Sequence, residues 1–272
     1  MTSSPPLLEG ENLKKMHLYA HLKELRKRLL WSALSIIAMF GVGFWQAEPV
    51  YQFLLRPLAA AMPASSGNTM IFTAVTDGFM TQMRVAWFSA LVLAFPLYAY
   101  QLYAFVVPGL YSAERRWFVA YIAAAPLLFT AGCALAYYGV LKLAFEFFLS
   151  FEMAPSPDAQ SLGSQYLGSI SQYLSFVTGL LLAFGLSFQL PVVLTVLGRA
   201  GIVSAATLRK YRRHTVVLTL IFAGVVTPPD ALSQLSLSVP LYLLFELSIL
   251  LISLKKPTVT QSETAPQPQP GH

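Results

Sequence analysis

Two glutamates stand at the edges of long apolar stretches. Glu24 lies in HLKELRKRL (residues 21–29), the only acid among Lys23, Arg26, Lys27 and Arg28. Glu114 lies in FVVPGLYSAERR (105–116), directly before Arg115 and Arg116. Each has a local explanation. Glu24 and Arg28 are at the i,i+4 spacing that pairs opposite charges on a helix, for about 0.2–0.5 kcal/mol. Glu114 opens an apolar run, where a carboxylate in the first turn offsets the helix dipole. Taken as a pair they permit more. Two carboxylates on a cation-lined surface suit a ligand carrying two guanidiniums, because a guanidinium meets a carboxylate in a two-pronged geometry that lysine does not reproduce.

A second set of polar residues sits inside apolar runs. Gln189 in FGLSFQLP (184–191) finds no partner in lipid, so it faces other helices, as a packing bond or as part of a binding surface. In TPPDALSQLSLSVPLYLLFE (227–246), Pro228 and Pro229 force a tight turn and Asp230 suits the N-cap of the helix that follows. Gln234 and Glu246 come next in that helix. Glu246 is the one acid well inside an apolar stretch, which makes it a functional candidate. It also precedes Lys255 closely enough to be solvated at the interface, and both readings stand. Arg84, near the start of another apolar run, is expected to snorkel to the far interface.

Catalytic patterns are weak. His17 and His21 are four apart on a helix without a third metal ligand, and GLSFQ is not a nucleophile elbow. No phosphate loop or dinucleotide fingerprint occurs. The single cysteine, Cys133, can form no intrachain disulfide and no cysteine-based zinc cluster. The expectation is a protein without cofactor or metal that is not an enzyme. Its net charge of +6 lacks the basic, aromatic-interleaved strand of an RNA binder, so no nucleic acid is expected.

The elements that must position these residues are membrane helices. The chain has 272 residues, 56% hydrophobic and 11% charged, against about 25% charged in a soluble domain. Its apolar blocks are continuous, not alternating, which favours helices over a barrel. An amphipathic helix is predicted over 13–29, with Leu18, Leu22, Leu25 and Leu29 on one stripe. It runs into a first span over about 30–46. A short amphipathic stretch follows at about 50–61. The further spans are predicted at about 77–105 with Pro96 inside, 117–139 with Pro126 inside, 171–197 with Pro191 near its end, 214–226, and 232–254. An outer segment fills about 140–170, and Ser204 and Thr207 are candidate caps in the loop before the fifth span. The fifth span has 13 residues, a reach of roughly 20 Å against a hydrocarbon core of about 30 Å. The last hairpin should thin the bilayer or end inside it. The domain division is 1–12 as a disordered N-terminus, 13–254 as the membrane domain, and 255–272 as a disordered, Pro/Gln-rich tail.

Charge sets the orientation. Fifteen of the eighteen lysines and arginines fall in the N-terminal helix, the 2–3 loop, the 4–5 loop and after the sixth span; Arg56, Arg84 and Lys142 lie elsewhere. The positive-inside rule then places both termini in the cytoplasm. The first 16 residues lack an apolar h-region, so the first span is expected to serve as an uncleaved insertion signal.

Five motifs then carry a resemblance. HLKELRKRLL, PLYAYQLYAFVVPGLYSAERR (96–116), FGLSFQLP, LRKYRR and TPPDALSQ…LFE occur in the order and spacing of the TatC family, the multispanning receptor of the twin-arginine protein translocase. The match covers roughly 14–254. The resemblance implies six spans in a concave arrangement with short fifth and sixth helices. It implies a receptor for twin-arginine signal peptides of folded cargo at the cytoplasmic face of a bacterial inner membrane. TatA/TatB-type single-span partners and the proton-motive force would drive transport, with several copies of the chain in the assembled translocase. Carried over by position, Glu24 and Glu114 are the signal-binding carboxylates, flanked by Arg26 and by Arg115 and Arg116. Pro57 matches a position in the first outer loop that matters for transport. The fifth span and the TPPD turn resemble the partner-packing surface. The family often has glutamate where this chain has Gln189, and a glutamine carries no titratable proton. The competing class, a secondary transporter or channel, would show inverted repeats and several midplane ionisable groups; no repeat is visible here.

Overall fold

The computed structural model describes residues 7–61, 74–106, 115–149, 169–199, 201–226 and 231–254, with side chains omitted at 7–21 and a few helix ends. Every regular element among them is helical. The chain folds as α1 (Leu7–Trp45), α2 (Ala47–Ala61), α3 (Asp77–Val106), α4 (Arg115–Leu135), a π-turn (Ala136–Val140), α5 (Leu141–Leu149), α6 (Ile170–Ser187), α7 (Leu190–Arg199), α8 (Ala205–Lys210), α9 (Arg212–Val226) and α10 (Ala231–Ser253).

Five helical stretches are long and apolar enough to cross a bilayer: Leu22–Trp45, Asp77–Phe105, Ile122–Phe148, Ile170–Gly198 and Gln234–Ser253. The expected fifth span, α9, is not among them; it has 15 residues and reaches only ~22 Å. Its shortness is as predicted. Helix α10, expected to be short as well, has 23 residues and reaches ~34 Å, so the shortfall belongs to α9 alone. Polar contacts hold α9 against α10, as described below.

Three boundaries differ from expectation for covalent reasons. The amphipathic segment and first span form one helix, which starts at Leu7 inside the segment assigned to disorder. No proline follows Pro6 until Pro49, so nothing in the chain interrupts it. Helix α4 does not end at 139. It passes through the π-turn into α5 and ends at Leu149, so part of the expected outer segment is helix. The fourth span breaks in its middle. Pro191 has no N–H for the Ser187 carbonyl, and the chain takes a tight turn at Phe188–Gln189, where the Gln189 N–H bonds the Leu186 carbonyl at 3.0 Å.

The core lies where α2, α4–α5, α6 and α10 meet. Phe184, Leu54, Leu141, Leu174, Leu180 and Leu237 are its largest fully buried side chains. Ala47, Leu54 and Leu58 recur at spacings of seven and four, which turns one stripe of α2 inward. Close crossings use glycine. A Cβ at Gly43 would stand 2.6 Å from the Ala86 carbonyl of α3. Gly132 and Gly185 meet reciprocally: a Cβ at the first would strike the Phe184 carbonyl, and at the second the Phe129 ring. Without a hydrophobic drive in lipid, such backbone approach is what van der Waals packing has to work with. Helix α1 touches the rest mainly through α3, and only 6% of its span is buried.

Candidate functional site

Glu24 lies on α1, in the first turn of its apolar stretch Leu22–Trp45. Its Oε1 accepts from Arg28 Nη2 at 2.6 Å and from Nε at 3.1 Å. The i,i+4 pair of the local reading is therefore formed. Both side chains keep partial exposure, 36% for Glu24 and 24% for Arg28. Arg28 also reaches across to α3, where Nη1 donates to Gln101 Oε1 at 3.5 Å. Gln101 was not singled out from sequence. The available signal was an amide in an apolar span, five residues before the helix ends at Val106.

The arrangement shows that this carboxylate can hold a guanidinium. A guanidinium already sits on the Glu24 carboxylate, gripping one oxygen with two N–H groups, and its remaining face is taken by an amide oxygen. Arg26, two residues away, is exposed. Arg115 and Arg116 begin α4, but their side chains, Glu114, and the turn residues Pro228, Pro229 and Asp230 lie outside the described residues.

Gln189 is buried, 8% exposed, at the break between α6 and α7. Its Nε2 donates to the Ala125 carbonyl of α4 at 2.9 Å, while Oε1 is buried without a partner among the described residues. The amide therefore makes one interhelical packing bond and leaves one acceptor unused among the described residues. The break after α6 is what aims the amide at α4.

Gln234 and Glu246 both tie α10 to α9. Gln234 Nε2 donates to the Leu220 carbonyl at 3.0 Å, over Gly224, where a Cβ would come within 3.2 Å of that nitrogen. Ser238 Oγ lies 3.5 Å from the Thr219 carbonyl. Glu246 Oε2 accepts from Arg212 Nη2 at 2.6 Å, and Oε1 accepts from the Tyr242 hydroxyl at 2.9 Å. Arg212 begins α9, so the Glu246 charge is paired at the end of that helix. Three polar contacts along one seam hold a helix too short to be secured by burial. Its outer face stays bare: Val217, Leu218, Ile221 and Val225 are all more than half exposed.

Arg84 does not run free to the interface. Its Nη1 donates to the Ser171 carbonyl at 2.6 Å, in the first turn of α6. Ser204 caps α8, accepting from the Thr207 N–H at 3.0 Å; Thr207 supplies the donor, not a second cap.

Pro57 sits inside α2. Its missing N–H leaves the Phe53 carbonyl without its helical donor. The Tyr137 hydroxyl takes that place at 2.7 Å, and the two rings stack at 4.4 Å. Tyr173 donates to the next carbonyl, Leu54, at 2.7 Å. Two tyrosines thus pin α2 to the π-turn and to α6. No cluster of three or more histidine, cysteine or acidic side chains suited to a metal occurs among the described residues.

Known proteins resemble this chain along most of its length. A family model described as Sec-independent protein translocase protein (TatC) matches residues 20–240. A Sec-independent protein translocase protein TatC of Magnetococcus marinus is 39% identical over 236 residues, 87% of this chain and 83% of its own. The protein of that name from Escherichia coli strain K12 is 39% identical over 232 residues, 85% and 86% of the two chains. A crystal structure described as twin arginine translocase receptor TatC superposes with a TM-score of 0.73 at 32% identity, covering 86% of this chain and 98% of that one.

Proposed function

The chain belongs to the TatC family of Sec-independent protein translocase proteins, a multispanning membrane component, and from that premise we propose that it is the receptor for twin-arginine signal peptides. Glu24 and Glu114 each take one guanidinium of the signal at the cytoplasmic face. The observation that carries this reading is the Glu24–Arg28 contact, because the carboxylate already holds a guanidinium in a geometry that a ligand arginine would adopt. A charge-assisted bond of this kind is worth about 1.5–3 kcal/mol. The incoming arginine exchanges with Arg28, which keeps its contact to Gln101. Arg26 keeps the surface cationic, and Arg115 and Arg116 hold the second loop on the cytoplasmic side.

The remaining pieces follow. The bare apolar face of α9, with the Pro228-Pro229-Asp230 turn at its end, receives a TatA/TatB-type single-span partner. Gln189 lies where α6 bends and would border an inserted signal helix. The Arg212–Glu246 and Gln234 contacts keep the partner face rigid. Both termini are cytoplasmic, the membrane is the bacterial inner membrane, several copies assemble in one translocase, and the proton-motive force drives movement of folded cargo. The protein performs no covalent chemistry of its own.

The test is export of a folded fluorescent reporter bearing a twin-arginine signal, in cells lacking their own copy of this subunit. Export should depend on this chain and on single-span partners, and should fall at least about tenfold with either Glu24→Ala or Glu114→Ala. Undiminished export by both variants would overturn the two-carboxylate site. Solute uptake by the purified protein in liposomes, without partners, would favour a transporter instead.

A further inference from the structure

Two cavities join on the face of the molecule opposite the basic loops. One is an apolar groove of about 640 Å³ between α2, α3, α4 and α6, walled by Phe53, Val92, Thr130, Ala134 and Tyr138 among others. The other, of about 320 Å³, is lined by Arg56, Pro57, Lys142 and Glu146, and shares Phe53, Tyr137 and Tyr138 with the first. An apolar trough therefore opens at one end into a cationic mouth. Arg56 and Lys142 are two of only three lysines and arginines outside the basic loops and termini, so their meeting at one pocket is not a general property of that surface.

The dimensions match one lipid leaflet. On the helix running from α4 through the π-turn into α5, Lys142 stands twelve residues from Thr130, or ~18 Å. Half a hydrocarbon core is ~15 Å. The groove is thus long enough for one acyl chain from headgroup to midplane. The mouth carries charge for the head. Arg56 lies 5.8 Å over the Phe53 ring and has no carboxylate partner among the described residues. Lys142 meets Glu146 only at 3.9 Å, with both side chains more than half exposed. The two cations and one acid leave the mouth with a net +1, which a phosphodiester of net −1 neutralises. A zwitterionic lipid does not. A partner transmembrane helix fits less well, because its apolar body would face the two cations at the mouth.

We propose that this groove and its Arg56/Lys142 mouth form a binding site for one anionic phospholipid of the leaflet opposite the basic face, with an acyl chain along α4 and the phosphate at the mouth. The proposal is independent of signal recognition. It gives Pro57 a further part, since the Phe53–Tyr137 pair that divides trough from mouth exists because Pro57 frees the Phe53 carbonyl.

The test is native mass spectrometry of the full-length protein, delipidated and titrated with phosphatidylglycerol, phosphatidylethanolamine or phosphatidylcholine, with glycerol 3-phosphate as a headgroup-only competitor. The wild type should retain one phosphatidylglycerol over either zwitterionic lipid by about five-fold or more per cation engaged, and glycerol 3-phosphate should not displace it. Lys142→Gln, at an exposed position, should reduce that preference, and Arg56→Gln/Lys142→Gln should abolish it. Ala134→Leu, which fills the trough and leaves the mouth intact, should lower retention of all three lipids. Equal retention of the three lipids by the wild type overturns the proposal, and this comparison needs no variant to fold. Displacement by glycerol 3-phosphate reduces the site to a phosphate pocket without a lipid tail and also overturns it. A photo-crosslinker at position 134 that captures a partner span in the assembled translocase, and no lipid, assigns the groove to a helix instead.

Discussion

At the residue scale, the proposed recognition has to work through Arg28. It holds Glu24 through two N–H groups and touches Gln101 on the neighbouring helix. A partly exposed i,i+4 pair of this kind contributes about 0.2–0.5 kcal/mol, so releasing it costs the fold little. Arg28→Gln should leave the thermal midpoint nearly unchanged and tighten binding of a twin-arginine peptide by about two-fold, because the ligand no longer competes with an internal guanidinium. Isothermal titration in nanodiscs reads this directly. Weaker binding instead would mean that Arg28 positions Glu24 and does not compete for it. The pair itself was legible in the sequence, since spacing and charge are enough to place it. The Gln101 contact was not, because it depends on how α1 lies against α3, and that is set by the close approach at Gly43.

At the scale of elements, prolines and tyrosines do the fitting together. Pro57 removes one N–H from α2, and Tyr137 supplies the hydroxyl that replaces it. Tyr137→Phe should destabilise the protein by about 1–3 kcal/mol, since a half-enclosed carbonyl loses its donor. Pro57→Ala restores a backbone donor to the same carbonyl. The double variant should therefore be less destabilised than Tyr137→Phe alone, a coupling visible in a double-mutant cycle of unfolding in micelles. Additive losses would show that Pro57 and Tyr137 act separately. Proline positions were readable in advance as bends, but their partners were not. The consequence of Pro191 shows the same limit. It was read as lying near the end of a span, yet it breaks that span and turns Gln189 toward the Ala125 carbonyl. The short α9 was visible from a count of residues, whereas the Arg212–Glu246 and Gln234 seam that holds it required α9 and α10 to be laid side by side.

The whole molecule is a TatC-family membrane protein built from long apolar helices. Composition and charge distribution were sufficient for helical class, span order and the location of basic loops, because a bilayer allows few alternatives. They were not sufficient for the continuous α1, which lacks any chemical stop signal, or for the two joined cavities, which arise from four helices distant in sequence. The charge pattern along the chain separates two sets of groups: Glu24 and Glu114 within its basic segments, and the Arg56/Lys142 mouth outside them. The claim that rests on all three scales is that Glu24 and Glu114 read an arginine pair. It is tested most directly by binding of labelled signal peptides to the full-length protein in nanodiscs, comparing Arg-Arg with Lys-Lys peptides on the wild type, Glu24→Ala and Glu114→Ala. Tighter binding of Arg-Arg to the wild type, lost in both variants, is the predicted result. Equal binding of the two peptides to the wild type would contradict it and return both glutamates to a helix pair and a helix-end charge.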